Sequence, residues 1–442
     1  MMPVSDQDFL TWRDYQQRLS KKARRRYYLK RLPWLGLWSG AGALMLVVLF
    51  YSVSWLSAYF EDRTWSPPRA VMREPAKLTK KDLAPILDHL DAGLLTGSQV
   101  LKVNANEAPL TIETSINPEL QRYASNLLDH SLTHAATAVV LEPETGQVLA
   151  MAQTGRVNPR ENLCVKAVFP AASLFKIVAA AAAIEARGLS PQTELTFRGG
   201  KYTLYRSQLK EKDRGRYTRK TTLKDAFSDS INPVFGKLGI YELGREIMED
   251  YAHRFLFDRS IPFDLTVDVS HFDVPMDDFA LAEIASGFNK RTLISPLHAA
   301  LITATVANQG KVMEPWLVKT VRDRTGHVLY QAEPTLLATP IKSGTARDLQ
   351  DLMSGTVTGG TVRRAFRPLQ RKKMFREFDF GAKSGTINDP TDQYKFDWLT
   401  AYALPGNGNG GIIVTVLAVH GEKLGIRAKD MVRCIVDEYF SS

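Results

Sequence analysis

The chain has 442 residues, enough for two or three domains or one large domain with appendages. Its 44% hydrophobic and 24% charged residues suit a globular protein with a sizeable core. Two cysteines, Cys164 and Cys434, cannot form a disulfide framework, and the eight histidines show no metal-ligand spacing, so no metal and no cofactor is expected. The net charge of +10 raises the question of nucleic acid, and its distribution answers against it. Residues 1–31 carry nine Lys or Arg against three Asp, so more than half of the excess lies ahead of residue 32.

In chain order, that basic run leads into 32–60, which holds no charged residue. A membrane-spanning helix needs roughly 20 apolar residues, so this stretch is long enough with some tilt. Trp34, Trp38, Trp55 and Tyr59 suit the two interfaces. The Lys/Arg asymmetry puts a basic tail (1–31) in the cytoplasm and residues 61–442 outside, as a single-pass inner-membrane protein. A cleavable signal would have roughly half this apolar length. Residues 61–106 mix Pro and charge and read as a stalk.

Within 114–132, Asn117 reads as a cap and Pro118 as the first turn of a helix carrying Leu120, Tyr123, Leu127 and Leu128 at helical spacing. Residues 137–152 read as a hairpin around Glu-Thr-Gly. Helical periodicity dominates from about 171 to 360. Strands return at 374–386, 396–405 and 411–420, followed by an amphipathic helix over 427–440. The order predicts an α+β fold: one antiparallel sheet assembled from N- and C-terminal strands, with a helical lobe inserted.

Three short patterns occur twice. Ser-x-x-Lys appears as "SLFK" (173–176) and "SQLK" (207–210). The first opens an Ala-rich, all-round apolar helix stopped by Gly188, where a lysine opposes both the macrodipole and burial. Such a lysine can take the proton of a neighbouring serine hydroxyl. Ser207 sits in a solvated basic segment. "SINP" appears at 115–118, where helix entry explains it, and at 230–233, between two helical patterns. There Ser230 and Asn232, two apart in an extended loop, would offer a hydroxyl and an amide to one cavity. Lys-Ser-Gly-Thr appears at 342–345, with Ser343 or Thr345 as a helix cap, and at 383–386, on a strand. Lys383 then stands on a sheet edge where Gly385 admits a ligand backbone.

The ordered set Ser173-x-x-Lys176, Ser230-x-Asn232 and Lys383-Ser384-Gly385-Thr386 resembles the penicillin-binding, serine D,D-transpeptidase family. "LTIETSINPELQ", "AVVLEPETGQVLAMA", "GTVTGGT" and "FDWLTAYALP" are similar to stretches between that family's motifs, over about 107–442. The resemblance implies Ser173 as acylated nucleophile and Lys176 as its base. Ser230 would relay a proton, Asn232 would hold Lys176 and a substrate amide, and Lys383 would polarise Ser230. It also implies that Ser384 and Thr386 bind the terminal carboxylate of a D-Ala-D-Ala stem peptide beside Gly385, with the N–H groups of Ser173 and Thr386 as oxyanion hole. β-Lactams would acylate the same serine. Ala172, Leu174, Ile177 and Ser384 depart from the commoner Gly, Thr, Pro and Thr.

The segment 61–106 is too short for a glycosyltransferase domain, so a separate glycosyltransferase or other envelope protein is an implied partner alongside peptidoglycan and the membrane; nucleic acid is not. A D,D-carboxypeptidase or endopeptidase shares every motif, and a non-catalytic penicillin-binding scaffold or sensor is the reading from another class. Two basic clusters, 198–224 and 363–376, read as solvated faces or as holders of anionic precursor or lipid headgroups.

Overall fold

A computed structural model describes residues 77–442 apart from 106–107, 156–160, 212–215, 274–276 and 409. The basic tail and the apolar stretch 32–60 lie outside the described residues. Among those described, no helix is long and apolar enough to cross a membrane.

The described chain opens with helix α1 (Lys80–Leu87) and the antiparallel strands β1 (Val100–Ala105) and β2 (Ala108–Thr114). Leu83 and Leu87 are fully buried in the main core, and Lys80 reaches the Pro315 carbonyl at 2.7 Å. The reading of 61–106 as a stalk did not anticipate these contacts: from residue 77 onward the segment is packed into the body. Helix α2 (Pro118–Asp129) starts where Asn117 and Pro118 predict. The Asn117 side-chain oxygen accepts the amides of Glu119 and Leu120.

The hairpin follows as β3 (Ala135–Leu141) and β4 (Val148–Gly155). Next come α3 (Lys176–Arg187), α4 (Leu223–Ser228), α5 (Asn232–Lys237), α6 (Asp278–Ser286) and α7 (Pro296–Ala307). Strands β5 (Val318–Arg322) and β6 (Val328–Gln331) precede α8 (Ser343–Thr358) and α9 (Arg363–Arg371). The chain closes with β7 (Asp379–Asn388), β8 (Lys395–Leu404), β9 (Ile412–His420) and α10 (Ala428–Ser441). Residues 374 and 375, expected to begin the β7 strand, lie instead in a single 3₁₀ turn, Lys373–Phe375.

The main sheet is antiparallel in the order β7-β8-β9-β3-β4, so strands from the two ends of the chain meet at the β9–β3 pair. Every residue of β9 is buried. Val414 and Val416 belong to the cluster of α2, α9 and α10, whereas Ile413 and Leu417 belong to the larger cluster on the α7 face. Covered on both faces, the strand reads as a continuous apolar run rather than an alternation. A second antiparallel sheet, β1-β2-β5-β6, is partly contributed by the inserted region. That insertion, expected as a mostly helical lobe, therefore carries strands as well as helices.

Candidate active site

Strand β7 is an edge of the main sheet, and its alternation sends Lys383 inward toward the helices while Ser384 and Thr386 take the opposite parity. Ser173 lies in a 3₁₀ turn, Ala172–Phe175, that runs directly into α3 at Lys176. The expected first α-turn is thus a tighter one, and Ser173 and Lys176 still meet. The turn is tied to the sheet by the Trp398 indole, which donates to the Pro170 carbonyl at 2.9 Å. Opposite it, Gly287 at φ +67° brings the end of α6 so close that a Cβ there would stand 2.0 Å from the Ala172 carbonyl oxygen. Ala172 itself holds φ +49°, a conformation costly for a residue with a side chain.

Ser230 also sits in the left-handed region, at φ +56°, and Asn232 is the first residue of α5. The extended loop expected for this pair is therefore replaced by a kink between two helices. The two side chains nevertheless reach one cavity, of about 370 Å³, lined by Ser173, Ser230, Asn232, Ser384 and Thr386. Gly385 also serves the fold of the site. A Cβ there would lie 3.2 Å from the Ala172 Cβ and 3.3 Å from the Ser173 amide nitrogen, so its missing side chain lets β7 close against the Ser173 turn.

The Lys176 Nζ is 2.8 Å from the Ser173 Oγ, 2.8 Å from the Asn232 Oδ1 and 2.5 Å from the Ser286 carbonyl oxygen. The Asn232 amide nitrogen donates to the Tyr202 carbonyl at 3.0 Å, which fixes its oxygen toward the lysine. Two of the three lysine contacts are thus to oxygens that cannot donate. A neutral amine has two N–H bonds for those oxygens and one lone pair, which is left facing the Ser173 hydroxyl.

The Lys383 Nζ donates to the Ser230 Oγ at 3.0 Å and to the Ser384 carbonyl at 2.8 Å. Both lysines are fully buried, with aromatic rings of Phe235 and Phe227 beneath their nitrogens. Burial pushes Lys176 well below the ordinary lysine value, and the charge of Lys383 pushes it further. Burial brings Lys383 down to about 7. The cavity thus holds two amines that give up their protons far more readily than an ordinary lysine, a hydroxyl against each, and a carboxamide between the helices.

Among the twins, Ser207 is exposed in a 3₁₀ turn and Lys342 is exposed at the start of α8. Neither Ser343 nor Thr345 caps that helix, as the sequence suggested. The N-cap position is Lys342, and the carboxylate of Glu185 accepts its amide at 2.8 Å and the Thr345 hydroxyl at 2.7 Å. Cys164 is buried with its thiol pushed up by desolvation, consistent with a small apolar side chain.

Four further residues of the cleft escaped the motifs: Thr361, whose hydroxyl is 2.7 Å from that of Ser384, and Asp397, Arg427 and Lys429 at the Thr386 end. Thr361 lies in "GTVTGGT" and Asp397 in "FDWLTAYALP", so the signal existed as surrounding text without a chemical role. In the first basic cluster, Lys201, Arg206, Lys220 and Lys224 pair with Asp229, Asp277, Glu194 and Asp351. The second forms the exposed face of α9 and the turn after it.

The family model described as "Penicillin binding protein transpeptidase domain" matches residues 136–433. The peptidoglycan D,D-transpeptidase PbpA of Mycolicibacterium smegmatis is 24% identical over 66% of this chain and 64% of its own length. The stage V sporulation protein D of Bacillus subtilis is 23% identical over 64% of this chain and 44% of its own. The chain thus spans less than two thirds of either curated relative. In fold it is similar to penicillin-binding protein A from M. tuberculosis, solved as an imipenem acyl-enzyme complex, with a TM-score of 0.62 at 23% identity over 74% of this chain and 79% of that one. The D,D-transpeptidase domain of a peptidoglycan glycosyltransferase from Eggerthella lenta gives 0.61 at 23% identity, over 74% of this chain and 83% of that one. Since the family match takes in more than half of the chain, including Ser173, Ser230 and Lys383, the chain belongs to the penicillin-binding protein transpeptidase family.

Proposed function

We propose that this protein is a membrane-anchored peptidoglycan D,D-transpeptidase that cross-links stem peptides through a Ser173 acyl-enzyme. The observation that carries the reading is the Lys176 amine, buried and held by two acceptor-only oxygens so that its third position meets the Ser173 hydroxyl at 2.8 Å.

Neutral Lys176 takes the Ser173 proton as Oγ attacks the carbonyl of the penultimate D-Ala. The N–H groups of Ser173 and Thr386 receive the developing oxyanion. Ser230, polarised by Lys383, passes a proton to the departing D-Ala amine, and the C–N bond breaks to leave an ester on Ser173. An acceptor amine from a second stem peptide then attacks that ester, which frees Ser173 with its proton restored. Ser384 and Thr386, with Gly385 between them, hold the terminal carboxylate of the donor. Asn232 orients Lys176 and the donor amide. A β-lactam enters by the same first step, but its leaving nitrogen stays tethered in the ring-opened product.

The basic run before the uncharged stretch 32–60 supports a cytoplasmic N-terminus and a catalytic domain on the far side of the membrane. The test is product analysis with a synthetic stem pentapeptide and an amine acceptor. D-Ala release with formation of the cross-linked amide, both lost in Ser173→Ala, is the expected result. Release with water as sole acceptor replaces this reading with a carboxypeptidase, and no Ser173-dependent release replaces it with a non-catalytic scaffold.

A further inference from the structure

At the Thr386 end of the cleft, Asp397 on β8 is the register partner of Thr386 on β7. Its buried carboxylate accepts from Arg427 Nε at 2.6 Å, from Arg427 Nη2 at 2.9 Å, from the Ala428 amide at 3.1 Å and from the Thr386 hydroxyl at 3.4 Å. The Nε2 of buried His420 lies 3.5 Å from the Oδ2 that Arg427 Nε also meets. The His420 Nδ1 accepts the Gly425 amide, so a neutral ring carries its proton toward Asp397. Although burial works against the charge, the hydrogen bonds and charge of Arg427, with the His420 ring close by, outweigh it and bring Asp397 down to about 2.

An ionised carboxylate can only accept, so in the free protein Thr386 must be the donor in its contact with Asp397. Its lone pairs then face the cleft. A ligand carboxylate arriving there would meet those lone pairs with a formal negative charge behind them, the reverse of what anion binding needs. Ser384 has no such conflict, because it can accept from Thr361 and still donate outward.

We propose that the Asp397–Arg427 pair makes Thr386 a switchable donor, held by Asp397 in the free enzyme and released to the ligand's carboxylate in the complex. This rests on the transpeptidase reading above. Three features make the switch workable. The Thr386 bond is the longest of the four that Asp397 accepts, hence the weakest, and Asp397 keeps three donors without it. Arg427 neutralises Asp397 through two parallel N–H bonds, so the ligand does not face a bare charge. Lys429, on the same rim, adds a cation with no ion-pair partner among the described residues. Asp397 and Arg427 are thus positioning and specificity-determining residues, acting on the ligand through Thr386.

The experiment measures acylation of the full chain by a penicillin and by its methyl ester, in the wild type, in Arg427→Gln and in the Asp397→Asn/Arg427→Gln double variant. Arg427→Gln exposes the ligand to an uncompensated carboxylate. It is expected to lower apparent affinity for the free acid at least about tenfold, the scale of a lost charge-assisted bond, while the ester is spared. The double variant removes the offending charge and is expected to return the acid-to-ester ratio to within about threefold of wild type. Equal losses for acid and ester in both variants would mean a merely structural pair and overturn the inference. So would an unchanged ratio in Arg427→Gln. If that variant does not fold, the double variant decides alone, a tenfold fall in its ratio being the contrary result. Absence of any Ser173 adduct with either compound would instead overturn the transpeptidase reading.

Discussion

A lysine ammonium buried without a carboxylate loses hydration that its surroundings do not fully replace, so the protein holds it more easily as a neutral amine. Lys176 and Lys383 are both in that position, and each has a serine hydroxyl against it. Lys176→Ala should lower the acylation rate by about 10² to 10⁴, the range of a lost general base, in a stopped-flow assay with a chromogenic β-lactam. The wild-type rate should fall as pH drops through the coupled titration of the two amines, because protonation fills the lone pair that faces Ser173. Stability carries the same sign. Lys383 loses its proton near pH 7 in the folded state and near 10.5 when unfolded, so the folded state binds fewer protons between those values. Wild-type Tm should therefore rise relative to Lys383→Met as pH climbs from about 7 toward 10.5, and a constant difference across that window would contradict the burial argument.

At the level of elements, the site depends on three approaches: the Ser173 turn against β7, α6 against that turn, and the Asn232 side chain of α5 against Lys176 of α3. Gly287→Ala should displace the Ser173 turn, since its Cβ would overlap the Ala172 carbonyl. Reduced acylation with a lowered Tm is the expected outcome, read in the same assay. Glu185→Ala removes the carboxylate that caps α8 and should cost about 1 kcal/mol in urea unfolding, with Ser173 acylation little changed. Such elements were unequally legible in the sequence. The Asn117–Pro118 signal placed α2, and the alternation around Lys383 separated the strand copy of Lys-Ser-Gly-Thr from the helical one. The Glu185 cap was invisible, because its partners lie 157 and 160 residues away. The left-handed turns at Ala172 and Ser230 were missed for a related reason: non-glycine residues adopt them only where tertiary contacts compel it.

Over the whole molecule, the principal sheet joins strands from both ends of the chain, and the reacting groups come from the insertion and from the sheet's edge. The sheet was readable because β8 and β9 are strongly apolar between turn signals. The second sheet was not, because β1 and β6 are short, mixed in polarity and partly exposed. Contacts of α1 with the main core imply that cutting the chain within 77–106 removes buried leucines. A truncation beginning at residue 61 should stay in the soluble fraction and still form a penicillin adduct, whereas the full chain should sediment with membranes. Full chain in the soluble fraction would contradict the anchoring role proposed for 32–60.

The most direct test of the account is a peptide mass map of the full chain after incubation with a penicillin. The account predicts one covalent adduct, on the peptide containing Ser173, absent from Ser173→Ala and formed more slowly in Lys176→Ala. An adduct on another serine, or a Ser173 adduct formed as fast without Lys176, would contradict it.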